Sequence, residues 1–252
     1  MSNLDRNYAA RGAFGDRAIA IDAGLRAYML RVYNYMAAAV ALTGVSAWVI
    51  FQASVVTNEA GKIVDLTAFG NTLFVSPLKW IVIFSPLLLV FAMSAGIQRL
   101  SLPTAQLLFW LFAALFGISL GSLFMVFSLP SITRVFFISA ASFGALSLYG
   151  YTTQRDLSAM GSFMMMGLFG LIIASIVNLF WPSGPLAFAI SIIGVIVFAG
   201  LTAYDTQRIK EIYDVNDDGT VSGRKAIMGA LTLYLDFINL FLMLLRLLGD
   251  RR

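Results

Sequence analysis

Apolar residues along this chain gather into seven long stretches: residues 28–51, 78–98, 104–129, 132–151, 159–180, 185–207 and 226–248. At about 1.5 Å of rise per helical residue each can cross a bilayer. Most polar breaks between them are short and carry helix breakers: Ser101-Leu102-Pro103, Leu129-Pro130-Ser131, Gln154-Arg155-Asp156 and Trp181-Pro182-Ser183-Gly184-Pro185. Short turns force sequential antiparallel neighbours, so the pattern predicts an all-α membrane protein, one seven-transmembrane helix bundle. Two connections are longer, Gln52 to Pro77 and Arg208 to Lys225. Residues 1–25 hold no apolar core of the signal-peptide kind and are predicted to be a retained N-terminal cytoplasmic arm, with residues 26–252 forming the membrane domain. No internal repeat suggests an inverted-repeat transporter.

Composition agrees: the chain is 60% hydrophobic and 12% charged. It contains no histidine and no cysteine, which excludes Ser-His dyads, cysteine nucleophiles, disulfides, and thiolate or imidazole metal sites. Titration near neutral pH therefore falls to carboxyl groups in unusual surroundings. The net charge is +4, and its distribution says more. With the N-terminus inside, the inner segments carry Arg6, Arg11, Arg17, Arg26, Arg31, Arg99, Arg155, Arg208, Lys210, Arg224 and Lys225, against Lys62, Lys79, Arg134, Arg246, Arg251 and Arg252 outside. Eleven against six predicts a cytoplasmic N-terminus, although the basic C-terminal end argues the other way for the last span. The arginines of the arm suit anionic headgroups, and the recognition elements of a nucleic-acid binder are lacking.

The candidate chemistry lies in the last stretch. Leu233-Tyr234-Leu235-Asp236-Phe237-Ile238-Asn239 places an aspartate mid-span, where a charge costs at least ~2.5 kcal/mol and usually serves function. Thr232, Asp236, Asn239, Met243 and Arg246 fall within about 80° of one another on a helix, a polar stripe that should face the interior or a water-filled cavity. The preceding span ends Ala203-Tyr204-Asp205-Thr206-Gln207-Arg208. If the two spans form a hairpin, Asp205 and Asp236 can meet; two carboxylates in low dielectric cannot both ionise cheaply, so the pair shares a proton and titrates as one unit. Taken singly, Asp236 could merely fix packing and Asp205 could be an end-of-helix ion pair with Arg208. Arg99, at the inner end of the second span, is either an ordinary positive-inside arginine or a latch holding one carboxylate while it is charged.

Other motifs have plainer readings. Gly117-Ile118-Ser119-Leu120-Gly121 is a small-xxx-small packing pattern, and Met164-Met165-Met166 suits adaptable packing. Trp48, Trp80, Trp110 and Trp181 lie near span ends, as interfacial anchors do. Asp214 to Ser222 copies the first half of an EF-hand loop, but Lys225 stands at position twelve where calcium needs a bidentate glutamate, so a solvated turn is expected, with weak cation attraction the alternative. An intramembrane aspartyl protease is also conceivable from two aspartates on adjacent spans. Its second motif requires glycines before the second aspartate, where this chain has Tyr234-Leu235, so no enzyme is expected.

The segments Ala203-Tyr204-Asp205-Thr206-Gln207 and Leu233-Tyr234-Leu235-Asp236-Phe237-Ile238-Asn239-Leu240-Phe241 closely resemble the Bax-inhibitor motif family of transmembrane proteins, in a bacterial form. The resemblance covers the whole chain in span count. It implies a bundle with the last helix central, multi-pass in the bacterial inner membrane, acting as a pH-sensitive calcium (cation) leak channel. Asp205 and Asp236 would be the pH-sensing, ion-binding pair, Arg99 the gate latch, Thr232 and Asn239 supporting polar residues, and calcium the transported or bound ion, with no cofactor besides. Some bacterial relatives are instead associated with a membrane-bound quality-control protease, which implies a non-catalytic modulator as the alternative.

Overall fold

Bilayer-spanning backbone must satisfy its own hydrogen bonds, and helices do so within one segment. The computed structural model describes residues 3–58 and 62–251, with side chains from Ala23 onward. It contains helices α1 (Asn3–Ser54), α2 (Ala68–Gly70), α3 (Leu78–Gly96), α4 (Leu102–Leu120), α5 (Leu123–Val126), α6 (Leu129–Thr152), α7 (Ser158–Phe180), α8 (Gly184–Glu211) and α9 (Gly219–Leu248). Seven helical segments are long and apolar enough to cross a membrane, the third running from Leu102 to Val126 across the α4–α5 break. The span within α1 is Ala23–Ser54, and the side chains of the arm before it lie outside the described residues.

The breakers read from the sequence set the helix starts. Ser101 accepts from the Thr104 amide and Ser183 from the Leu186 amide, each followed by a proline in the first turn, where a missing N–H costs nothing. Asp218 opens α9 by accepting from the amides of Thr220 (2.8 Å) and Val221 (2.7 Å). The long first connection folds into a small antiparallel hairpin of β1 (Val55–Thr57) and β2 (Ile63–Leu66), built from β-branched runs.

Helix α9 is the centre: 61% of its most apolar stretch is buried, against 11% for α3 and 6% for α7. It packs on α8, α1, α6 and α4, while α3 lies chiefly on α4 and α7 on α8. Its motif anchors it on several sides. Tyr234, fully buried, meets Phe112 and Phe116 edge-on at 5.2 and 6.0 Å and shares a 2.7 Å hydrogen bond with Thr43, whose hydroxyl also reaches the Ala113 carbonyl. Phe237 meets Phe136 and Phe143 edge-on, each at 5.6 Å. Residues two apart on a helix differ by about 200°, so with Tyr234 on α1 and α4, Asp236 points to nearly the opposite side.

At one end of the bundle Arg224 of α9 donates to the carbonyls of Gln98 (2.8 Å) and Leu100 (3.2 Å), capping the α3–α4 turn. At the other, residues after α9 fold back on α6: Asp250 takes its amide to Ser131 Oγ (2.8 Å) and its carboxylate to Arg134 (2.9 Å). The start of α6 and the end of α9 therefore share one face, as seven alternating spans require.

Close helix approach depends on glycine. A Cβ on Gly117 of α4 would stand 2.5 Å from the Thr43 carbonyl of α1, so this half of the small-xxx-small pattern is a packing contact. Met164 packs against Gly200, whereas Met165 and Met166 are exposed. Trp110 departs from the interfacial expectation, lying part-buried against Tyr35 and Phe109. Gly150 of α6 faces the α8 backbone, where a Cβ would stand 2.1 Å from the Ala203 carbonyl. Gly150→Val is expected to destabilise the protein by about 1–3 kcal/mol through overpacking, read as a lower thermal unfolding midpoint in detergent. Gly170→Val, where nothing lies within 4 Å of the added Cβ, should leave that midpoint near wild type.

Candidate functional site: a buried carboxyl pair

Helices α8 and α9 are antiparallel neighbours, and the hairpin brings Asp205 and Asp236 together, close enough for their carboxyl groups to act on each other. Asp236 is only 6% exposed, and its Oδ2 has no hydrogen-bond partner among the described residues. Asp205 is half-buried, and Arg208 one turn on is the cation close enough to act on it. A carboxyl oxygen buried without a partner is costly unless a proton, an ion or water meets it in some state of the molecule.

Beside the pair runs a chain of hydroxyls. Tyr33 of α1 bonds Ser147 of α6 at 2.6 Å, Ser147 bonds Thr206 of α8 at 2.9 Å, and Thr206 is also held to the Thr202 carbonyl at 2.8 Å. The buried residue after it, Gln207, ties α8 to the α6–α7 turn through the Arg155 carbonyl (2.8 Å) and the Leu157 amide (2.9 Å). The helix that carries Asp205 is thus tied to its neighbours at the two residues that follow it. Sequence reasoning passed over Tyr33, Ser147 and Thr206. A signal was available in the small polar residues Ser131, Ser139 and Ser147, spaced by multiples of four along one buried face of α6.

The remaining predicted residues are more dispersed. Thr232 is half-buried and donates to its own helix at the Met228 carbonyl (3.1 Å). Asn239, about one turn outward from Asp236, lines a groove of about 540 Å³ between α7, α8 and α9 together with Ser175 and Met243. Arg99 is exposed at the α3–α4 turn, and it forms no ion pair with either aspartate in this conformation. The arginine that joins that turn to the central helix is Arg224.

The half EF-hand segment has its acidic groups engaged. Asp214 Oδ1 accepts from the amide and side chain of Asn216, both at 2.9 Å, Asp218 caps α9, and Asp217 pairs with Lys225. Bonds from Asn216, then the charge of Lys225, hold the Asp214 carboxyl below the usual carboxylate range; bonds from Ser158 do the same for Asp156 in the α6–α7 turn. Groups shifted downward stay ionised at neutral pH, and what they contribute to their turns is lost only as pH falls through still lower values. Neither loop carboxylate can serve as a sensor near neutrality. Among the described residues, no three His, Cys, Asp or Glu side chains converge as a resident metal site would need.

Comparison with known proteins bears on the whole of this chain. A family model, Inhibitor of apoptosis-promoting Bax1, matches residues 25–252. An uncharacterised protein of Rickettsia prowazekii is 50% identical over 234 residues, covering 92% of both chains. The inner membrane protein YbhL of Escherichia coli is 45% identical over 232 residues, covering 91% of this chain and 94% of its own. A protein of Caulobacter vibrioides is 41% identical across the full length of both. With six spans arranged around a seventh, buried and aspartate-bearing, and relatives matched over nine-tenths or more of their length, the chain belongs to the Bax1 inhibitor family of multi-pass membrane proteins.

Proposed function

We propose that this protein is a pH-sensitive calcium leak pathway of the bacterial inner membrane, with its N-terminus cytoplasmic and the Asp205/Asp236 pair as its gate. The observation that carries this reading is the meeting of two carboxyl groups inside the bundle, one of them with a buried, unpartnered oxygen. A single proton shared across the pair satisfies that contact. Its loss leaves two like charges in low dielectric, which repel unless water or a cation enters between them. A divalent cation is the chemistry that answers such a site. Calcium takes six to eight oxygens at flexible geometry, of which the pair offers four at most, so the ion passes with much of its water rather than residing. The groove beside Asn239 gives the pair a polar neighbour on its outward side. The inner-membrane assignment rests on the printed description of the Escherichia coli relative and on the excess of basic residues in the segments assigned to the inner side. No catalytic step and no bound cofactor enter this reading.

The test is calcium flux into liposomes carrying the purified protein, followed across a pH series. Wild-type flux is expected to titrate as one coupled transition, and Asp205→Asn and Asp236→Asn are each expected to abolish its pH dependence. Normal pH-dependent flux in the double Asn variant would refute the gate.

Arg99 enters as a latch only in a second conformation, one that swings the inner end of α3 toward Asp205. Arg99→Ala should then change flux at pH values where the pair is charged and leave it unchanged where the pair is protonated. Wild-type flux at every pH removes Arg99 from the mechanism and leaves Arg208 as the cation that acts on the pair.

A further inference from the structure

A second concave surface lies between α1 and α6, on the half of the bundle that holds the beginning of α1 and the end of α6. It encloses about 570 Å³, within the range of small-ligand pockets, and its walls are Met29, Leu30, Tyr33, Phe143, Gly144 and Leu148. The polar atoms on its floor are already engaged, because Tyr33 and Ser147 bond each other and Ser147 bonds Thr206. What remains for a ligand is an apolar trough. Gly144 opens into it, with nothing within 4 Å of where its Cβ would be.

The mouth of this trough is cationic. Arg26 lines it, is exposed, and makes no ion pair with any described carboxylate. Tyr151 closes the same end, with Lys210 donating to its carbonyl at 2.9 Å and lying 5.7 Å above its ring. An apolar slot open to the bilayer, capped where the helices leave the membrane by two cations, matches one chemical class. We propose that the α1–α6 trough seats an acyl chain of an anionic phospholipid from the leaflet on the N-terminal side, its phosphate held by Arg26 with Lys210 behind.

Binding is read by native mass spectrometry of the intact protein in detergent, incubated with phosphatidylglycerol or with phosphatidylcholine of the same chains. Wild type is expected to retain phosphatidylglycerol about fivefold better, the worth of one basic residue near an anionic headgroup. Arg26→Gln, at an exposed position, should bring the two lipids to equal retention. Gly144→Phe fills the trough and should lower retention of both, while Gly170→Phe on lipid-facing α7 should behave as wild type. Equal retention of the two lipids by wild type, or unchanged phosphatidylglycerol retention in Gly144→Phe, would overturn the proposal. Unaltered helical circular dichroism in each variant separates loss of the site from loss of the fold, and no arm of the experiment depends on ion flux.

Discussion

A carboxyl group buried at the centre of a membrane bundle constrains everything around it. Asp236 has to be met by another polar group, and a second carboxyl on the neighbouring helix meets it. That contact fixes the depth of α8 relative to α9, and it is mirrored on the far side of α9 by Tyr234, whose hydroxyl is tied to α1. The central helix is pinned by polar contacts on opposite faces, with Phe237 against α6 filling the space between. In lipid, where apolar surface gives little drive for helix to seek helix, such contacts and close packing decide the arrangement.

The same arrangement separates a rigid interior from a loose exterior. Helices α1, α4, α6 and α8 contact the centre, and they are held close to one another by glycine, as at Gly150 between α6 and α8 and at Gly117 between α4 and α1. Helices α3 and α7 present mostly apolar side chains to the outside. Elements of low burial are those from which moving parts are drawn. An outer helix can therefore shift without dismantling the centre.

Much of this was legible in the sequence because the bilayer makes its demands in plain terms. Seven apolar runs, their breakers at Ser101 and Ser183, and an aspartate among leucines are one-dimensional signals, and each reappears as a span, a cap or a buried carboxyl group. The approach of Asp205 and Asp236 was also foreseeable, since a hairpin of these two consecutive spans sets the end of one beside the first half of the other. The role of Arg224 was not, because it depends on how far α9 reaches past the end of α8 to touch the α3–α4 turn. Nor was the bond between Tyr33, Ser147 and Thr206, which joins three helices far apart in sequence by groups that singly look unremarkable. The hairpin in the first connection escaped notice because strands of three and four residues give too short a run to read.

Helix α7 lies against the candidate site from the outer side of the bundle. It leans on α8, and its Gly161 receives the ring of Tyr204, the residue immediately before Asp205. A side chain larger than hydrogen at Gly161 would displace the Tyr204 ring and, through it, press on the α8 backbone one residue before Asp205, so the smallest residue of an outer helix sets where half of the carboxyl pair stands.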